Sequence, residues 1–440
     1  MALDLVSNTY RPDTGTVDPK FAPIYDYKPP VDLSVAKNFT SGQPFEAFHK
    51  MRENAPVMWH PMEGAAGFWA LTGYHDIQKV NKDAKTFSSQ MGGILMAYAA
   101  GSEGHPLLHR SSLDAMINLD PPYHMQLRRE HMAFFVPGFV AELKKKVEQK
   151  VTALLDDMEK RGPKVDMVES FSAELPLYTL SEILGIPEAD RPKVVHWMHY
   201  LEAATNTIQE GELGALTPEA IKEFLDNIED MFAYGQYILK ERRKNPQNDL
   251  LSAIANVEID GEVLADEYLD GSWLLIIFAG NDTTRNTLSG TMKLLTENPD
   301  QKQKLIDNPD LIPNMVHEAI RVISPVMYMR RTATEDTQIG EQKIGAGEKV
   351  LMYFGAGNHD PSVFTDPDRF DVERANAKNH IAFGIGPHVC IGQRVANMQL
   401  DAAYRQILSR FPKIHWTGDI NIAPNNFVHA ISSLGVDLGR

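Results

Sequence analysis

The chain is 440 residues long, 43% hydrophobic and 23% charged, a globular balance that excludes a disordered or fibrous protein. Its 43 basic and 59 acidic side chains leave a net charge of −16, which repels a phosphate backbone and argues against general nucleic-acid binding. The single cysteine, Cys390, excludes an intramolecular disulfide and any zinc site built on cysteines, and suits a reducing compartment.

The first residues lack the basic-then-apolar order of a signal peptide. The longest apolar run, residues 273–280, is far short of the roughly 20 residues that span a bilayer. A cytoplasmic chain with no membrane span is expected. Residues 1–40, rich in Pro and polar side chains, read as an extended N-terminal arm. Residues 41–440 carry no repeat, Gly/Ser linker or composition break, and read as a single domain. Short alternating segments at 57–59 and 68–72, with Gly64 and Gly67 between them, predict a hairpin. Apolar residues recur at helical spacing over 139–160 and 214–244. The runs Lys144-Lys145-Lys146 and Arg242-Arg243-Lys244 read as solvated helix faces. Residues 264–298 form a segment unusually long for one helix, interrupted by Gly271, Gly280 and Gly290 and closed by Asn298-Pro299. A helix over 313–323 is stopped by Pro325, and short strands are predicted over 338–354. The last helix, 392–411, has Val395, Ala396, Leu400, Ala403, Ile407 and Phe411 on one face. The fold class is mainly α with a minor β-sheet region.

The stretch His380-Ile381-Ala382-Phe383-Gly384-Ile385-Gly386-Pro387-His388-Val389-Cys390-Ile391-Gly392 is the most informative. A cysteine between a glycine-rich loop and a helix is stabilised as thiolate by helix-terminal N–H groups. Gly384 and Gly386 let the backbone approach a flat ligand, and Gly392 removes bulk beside it. A thiolate ligand pushes electron density onto haem iron and favours O–O cleavage. The order Phe-Gly-x-Gly-x-His-x-Cys-x-Gly resembles the haem-binding signature of the cytochrome P-450 family of haem-thiolate monooxygenases. The resemblance extends from about residue 45 to about 435. It implies haem b as cofactor, held between the long central helix and the cysteine-loop helix. It also implies Cys390 as the iron ligand, Phe383 as a shield for the thiolate and His388 as a propionate contact.

Ala279-Gly280-Asn281-Asp282-Thr283-Thr284 lies inside the long segment. Gly280 costs about 1 kcal/mol relative to Ala in a helix, and threonine hydroxyls that bond back to carbonyls bend one. A local opening of the ladder there makes room for oxygen and water. Asp282 can exchange a proton with solvent while Thr283 orients a water. The segment resembles the family's acid–alcohol motif, which implies reductive use of O2 over direct use of peroxide.

Glu318 and Arg321, at i and i+3, share a helix face. They match the family's Glu-x-x-Arg motif, which implies a buried pair completed by a later arginine; the candidate is Arg369. His124 and Arg128, at i and i+4, can hold one carboxylate. The resemblance assigns them, with Arg331, to the haem propionates, and Arg330 beside it leaves that choice ambiguous.

With no flavin or nicotinamide domain expected after the last helix, the resemblance implies an iron–sulfur ferredoxin and its reductase as electron source. The ferredoxin would dock by Arg129 and Arg394 on the cysteine side of a monomer. Candidate pocket residues are Met91, Ile94, Leu95, Met96 and Tyr98, then Leu275, Phe278 and Ala279, then Val326, Met327 and Tyr328, with Phe427 and Val428. An apolar, methionine-rich set suits a hydrophobic substrate. The runs at 281–286 and 329–333 resemble those of bacterial members that hydroxylate alkyl chains, terpenoids or steroid side chains. The resulting expectation is a monooxygenase that hydroxylates a C–H bond of a hydrophobic small molecule. Peroxide-driven or non-hydroxylating chemistry on the same haem is one alternative. A non-catalytic haem sensor or electron carrier is another, and Asp282 and Thr283 speak against it.

Overall fold

The computed structural model describes residues 21–62, 65–96, 115–198, 200, 217–259 and 261–440. In chain order its strands are β1 (Val57–Met62), β2 (Ala65–Leu71), β3 (Phe87–Ser88), β4 (Lys164–Asp166), β5 (Glu258–Ile259) and β6 (Glu262–Val263). After them come β7 (Tyr328–Ala333), β8 (Thr337–Ile339), β9 (Gln342–Ile344), β10 (Lys349–Tyr353), β11 (His415–Ile422) and β12 (Ile431–Asp437). Helices supply most of the remainder, as the mainly α expectation holds.

The larger sheet runs β1-β2-β10-β7-β3. The expected hairpin is β1 and β2, antiparallel with Trp59 opposite Trp69. β10 lies parallel to β2 and antiparallel to β7, placing Leu351 opposite Arg330 and Val350 opposite Arg331. All of β10 is buried, which explains its continuous apolar run, Val350 to Tyr353. A second sheet, β11-β12-β4, closes the C-terminal end.

The expected arm is corrected. Residues 1–20 lie outside the described residues, but 21–40 are packed into the fold. Leu33, Ala36 and Phe39 recur every third residue around a 3-10 turn at Ala36–Phe39, so they share one face. Leu33 and Phe39 join Phe48, Met51 and Tyr353 in a buried cluster. The Leu33 N–H donates to His60 Nε2 at 2.9 Å. The Pro-rich composition concealed this apolar spacing.

The helix Pro137–Arg161 begins with proline at its first position, where no N–H is missed. It buries Val140, Leu143, Val147, Val151, Leu154, Leu155 and Met158 and packs against the cysteine-loop helix Gln393–Arg410. Each such side chain is worth about 1.5–3 kcal/mol when removed from water. The run at 144–146 is exposed and paired with acids, as in Lys145 with Glu142 at 2.9 Å and Lys146 with Glu182 at 2.7 Å. The run at 242–244 is corrected. Arg242 is buried, with Nε donating to Asp249 at 2.7 Å and Nη2 to the Gly185 carbonyl at 2.8 Å. An acid seven residues away across a turn gives the guanidinium a partner that the run itself does not reveal.

The long segment is two helices, Asp266–Ala279 and Asp282–Glu297, broken at Gly280 and Asn281. A Cβ on Gly280 would fall 2.9 Å from Leu180 Cδ1, so that side chain on the helix Glu174–Leu184 would have to shift to admit one. Helix Ile312–Ile323 ends at Ser324 in the left-handed region, φ 44°, ahead of Pro325. Among the described residues, no helix is long and apolar enough to cross a membrane.

Candidate active site

The loop before helix 393–410 turns on Gly384, φ 69°, and Gly386, φ 73°. A Cβ on Gly386 would meet the Asn81 carbonyl oxygen at 2.9 Å, so helix Tyr74–Lys82 packs directly against the loop. The Cys390 N–H donates to the Phe383 carbonyl at 2.8 Å, closing the turn and bringing Phe383 back towards the cysteine. A Cβ on Gly392 would stand 3.9 Å from Cys390 Sγ, in ordinary van der Waals contact. Burial pushes the Cys390 thiol up, while the N–H groups of Gly392 and Gln393 and the Arg128 guanidinium pull it down. The residue nonetheless has exposed surface. Ala279, on the helix that the resemblance places across the haem, is exposed as well.

Beside Cys390, two histidines and two arginines converge. The rings of His124 and His388 lie 4.0 Å apart. Arg128, one turn after His124, donates to the Val389 carbonyl at 2.6 Å. Arg331 is buried and donates to Asn81 Oδ1 at 3.1 Å. Burial, then Arg128 and Arg331, hold His124 down to about 4. Burial, then Arg331, His124 and Arg128, hold His388 down to about 2. Burial lowers Arg331 to about 10, opposed by Asp120. That acid is engaged elsewhere, accepting from the Ser89 N–H at 2.8 Å and from the Ser88 hydroxyl. His124 Nδ1 is buried without a partner. A buried guanidinium such as Arg331 is costly unless an anion stands beside it. The two propionates of haem b fit the cluster, and the sulfur fits its iron.

The Arg330 ambiguity resolves by strand alternation. Neighbours in β7 face opposite ways, so Arg331 joins the histidines while Arg330 bonds to Thr332 Oγ1 at 3.1 Å on the other face.

Asp282 opens helix 282–297, where a carboxylate is favoured by the helix dipole. Its Oδ1 accepts from Asn281 Nδ2 at 3.1 Å and lies 3.6 Å from Arg285 Nη2. Asp282 and Thr283 are both half-buried, and Thr283's carbonyl accepts from Thr287 Oγ1 at 2.7 Å.

Glu318 and Arg321 form a fully buried fork, Nε to Oε2 and Nη2 to Oε1 both at 2.8 Å. The third member is corrected: it is Arg374, not Arg369. Arg374 Nε donates to Glu318 Oε1 at 2.9 Å, whereas the Arg369 side chain is 64% exposed and pairs with Asp371. Arg369 contributes its carbonyl oxygen, which accepts from Arg374 Nη2 at 2.7 Å.

Of the expected pocket residues, Met91, Leu95, Leu275, Val326, Phe427 and Val428 are half-buried. Met96, Met327 and Tyr328 are corrected to core. They are buried with Phe48, Leu351 and Tyr353 behind the sheet. Ile94 is buried too, its N–H donating to Asn118 Oδ1 at 3.1 Å. Tyr98 and the Phe278 side chain lie outside the described residues. Sequence reasoning missed Asn81, Asn286 and Arg374. The first two are buried amides that stand among polar and charged residues in the sequence, so nothing local marks them.

A cytochrome P450 family model matches residues 34–426. The linalool 8-monooxygenase of Pseudomonas putida is 33% identical over 92% of this chain and 98% of that protein. The methyl-branched lipid omega-hydroxylase of Mycobacterium tuberculosis is 32% identical over 89% and 90%. A solved Mycobacterium marinum cytochrome P450 in complex with pseudoionone superimposes with a TM-score of 0.83 at 35% identity, covering 93% of this chain and 99% of that one. With a cysteine loop, a histidine–arginine cluster and a whole-chain likeness in agreement, this chain belongs to the cytochrome P450 family and is a haem-thiolate monooxygenase with haem b as its cofactor.

Proposed function

We propose that the enzyme hydroxylates the terminal methyl end of a methyl-branched hydrocarbon chain, such as an acyclic terpenoid. The observation that carries this reading is the half-buried set Met91, Leu95, Leu275, Val326, Phe427 and Val428, which is apolar throughout. Such a lining holds its ligand by removing apolar area from water, at about 25 cal/mol per Å², and offers no charge to grip a small acid. The relatives narrow the class, since linalool and a methyl-branched lipid both present a branched chain for oxidation near its end.

Bound haem b supplies the thiolate-ligated iron at which dioxygen is activated. Cys390 holds that iron, and His124, Arg128, Arg331 and His388 neutralise the propionates. Asp282 takes a proton from solvent and Thr283 holds the water that carries it inward. Electrons come from an iron–sulfur ferredoxin with its reductase. It docks on a single chain at the exposed Arg129 and Arg394, in a reducing, cytoplasmic setting that keeps Cys390 unoxidised.

The test is a spectral titration of the haem-loaded protein with linalool, pseudoionone and dodecanoic acid. Product analysis with ferredoxin, reductase and NADPH follows. The branched compounds are expected to give the low-spin to high-spin Soret shift and a terminal alcohol. Preference for the linear acid, or no shift with either branched compound, would overturn the reading.

A further inference from the structure

β7 is a strand with two employments. On one face Arg331 joins the propionate cluster. On the other, residues 328–332 tie down the segment 91–96, which carries the pocket residues Met91 and Leu95. Tyr328 Oη accepts the Met96 N–H at 3.0 Å, and the Arg330 N–H donates to the Ile94 carbonyl at 2.9 Å. The Arg330 guanidinium does more. Its Nη1 donates to the Leu95 carbonyl at 3.4 Å, while Nε and Nη2 reach Thr332 Oγ1 at 3.3 and 3.1 Å. That hydroxyl in turn donates to the Met91 carbonyl at 2.5 Å. Between those ends the chain turns at Gly92, φ 78°, where a Cβ would fall 2.2 Å from Arg330 Nη2.

We propose that Arg330 is a positioning residue for substrate specificity. Its guanidinium holds the Leu95 carbonyl directly and the Met91 carbonyl through Thr332, and so sets where these two side chains stand in the pocket. The fork geometry matters more than the charge. A lysine cannot reach Leu95 and Thr332 together, because its ammonium is a point donor on a flexible stem.

The inference rests on the reading that residues 91–96 border the substrate pocket, and the test separates the two. Haem-loaded parent, Arg330→Lys and Thr332→Val proteins are compared in three ways. One is hydrogen–deuterium exchange across 88–96 without ligand. Another is affinity for 4-phenylimidazole against imidazole, two azoles that ligate haem iron and differ only in the bulk pressed on the pocket. The third is the ratio of terminal to internal alcohol from linalool. Both variants are expected to keep full haem content and parental imidazole affinity. Exchange over 91–95 should quicken by about tenfold, with a shift of similar size in phenylimidazole affinity. Thr332→Val, which removes one hydroxyl, covers the case where Arg330→Lys fails to fold. Parental exchange in both variants overturns the proposal, and so does faster exchange with parental phenylimidazole affinity. If the parent ignores linalool while the variants change exchange and phenylimidazole affinity, the substrate class fails and Arg330's role stands.

Discussion

Asn286 Nδ2 donates to the main-chain oxygen of Asp282 at 2.7 Å, and Asn286 Oδ1 accepts the Ile431 N–H at 2.6 Å. One fully buried amide thus fastens the first turn of helix 282–297 to the start of β12, three residues beyond Val428. In Asn286→Ala the buried Ile431 N–H loses its partner, at about 1–3 kcal/mol, while the Asp282 carbonyl keeps its helical N–H. A matching drop in denaturant stability of the haem-loaded protein is expected. An unchanged midpoint would show that water replaces the amide without loss.

Thr283→Ala should separate oxygen consumption from product formation. If its hydroxyl holds the inward water as proposed, reducing equivalents then end as hydrogen peroxide. Asp282→Asn keeps the shape and removes the titrating proton, so turnover should fall roughly 100-fold. Peroxide yield and product per NADPH measure both. Full coupling in Thr283→Ala would remove it from the proton path.

Removing Glu318 strands Arg321 and Arg374 as buried cations, a loss of about 3–5 kcal/mol. Glu318→Ala and Arg374→Ala should therefore both yield protein poor in haem. Arg369→Ala should stay within about 0.5 kcal/mol of the parent, because its side chain is mostly in solvent. Haem content per chain decides between the two arginines.

Acid should weaken the fold through two buried histidines. Burial, with Arg321 second, holds His359 down to about 3. Burial, with Arg128 second, holds His131 down to about 4. Both bind a proton in the unfolded chain near their ordinary 6.5. Below that value the unfolded state gains protons that the folded one refuses, so stability falls as pH falls. The slope approaches about 1.4 kcal/mol per pH unit for each histidine. Above it neither contributes. Denaturation midpoints between about pH 5 and 7 check this, and His359→Gln should flatten the profile.

The legible parts of the site are those written locally. From His380 to Cys390 every shaping residue is consecutive, so glycine, histidine and sulfur can be read in order. Glu318 and Arg321 share a face by helix geometry, and Gly280 announces the break after Ala279. The illegible parts are those that the fold brings together from a distance. Arg369 and Arg374 stand in one loop without periodicity, and only the course of the chain decides which one turns inward. Met96 and Met327 match Met91 and Leu95 in polarity, so side-chain type cannot tell core from lining. Leu33 and Phe39 needed a partner surface before their spacing meant anything.

Cys390, the proposed iron ligand, is the only sulfhydryl in 440 residues. Covalent tagging of this protein can consequently report from one address alone. A maleimide dye applied to native preparations would count the molecules that have lost their prosthetic group, and the same reagent after denaturation would count them all.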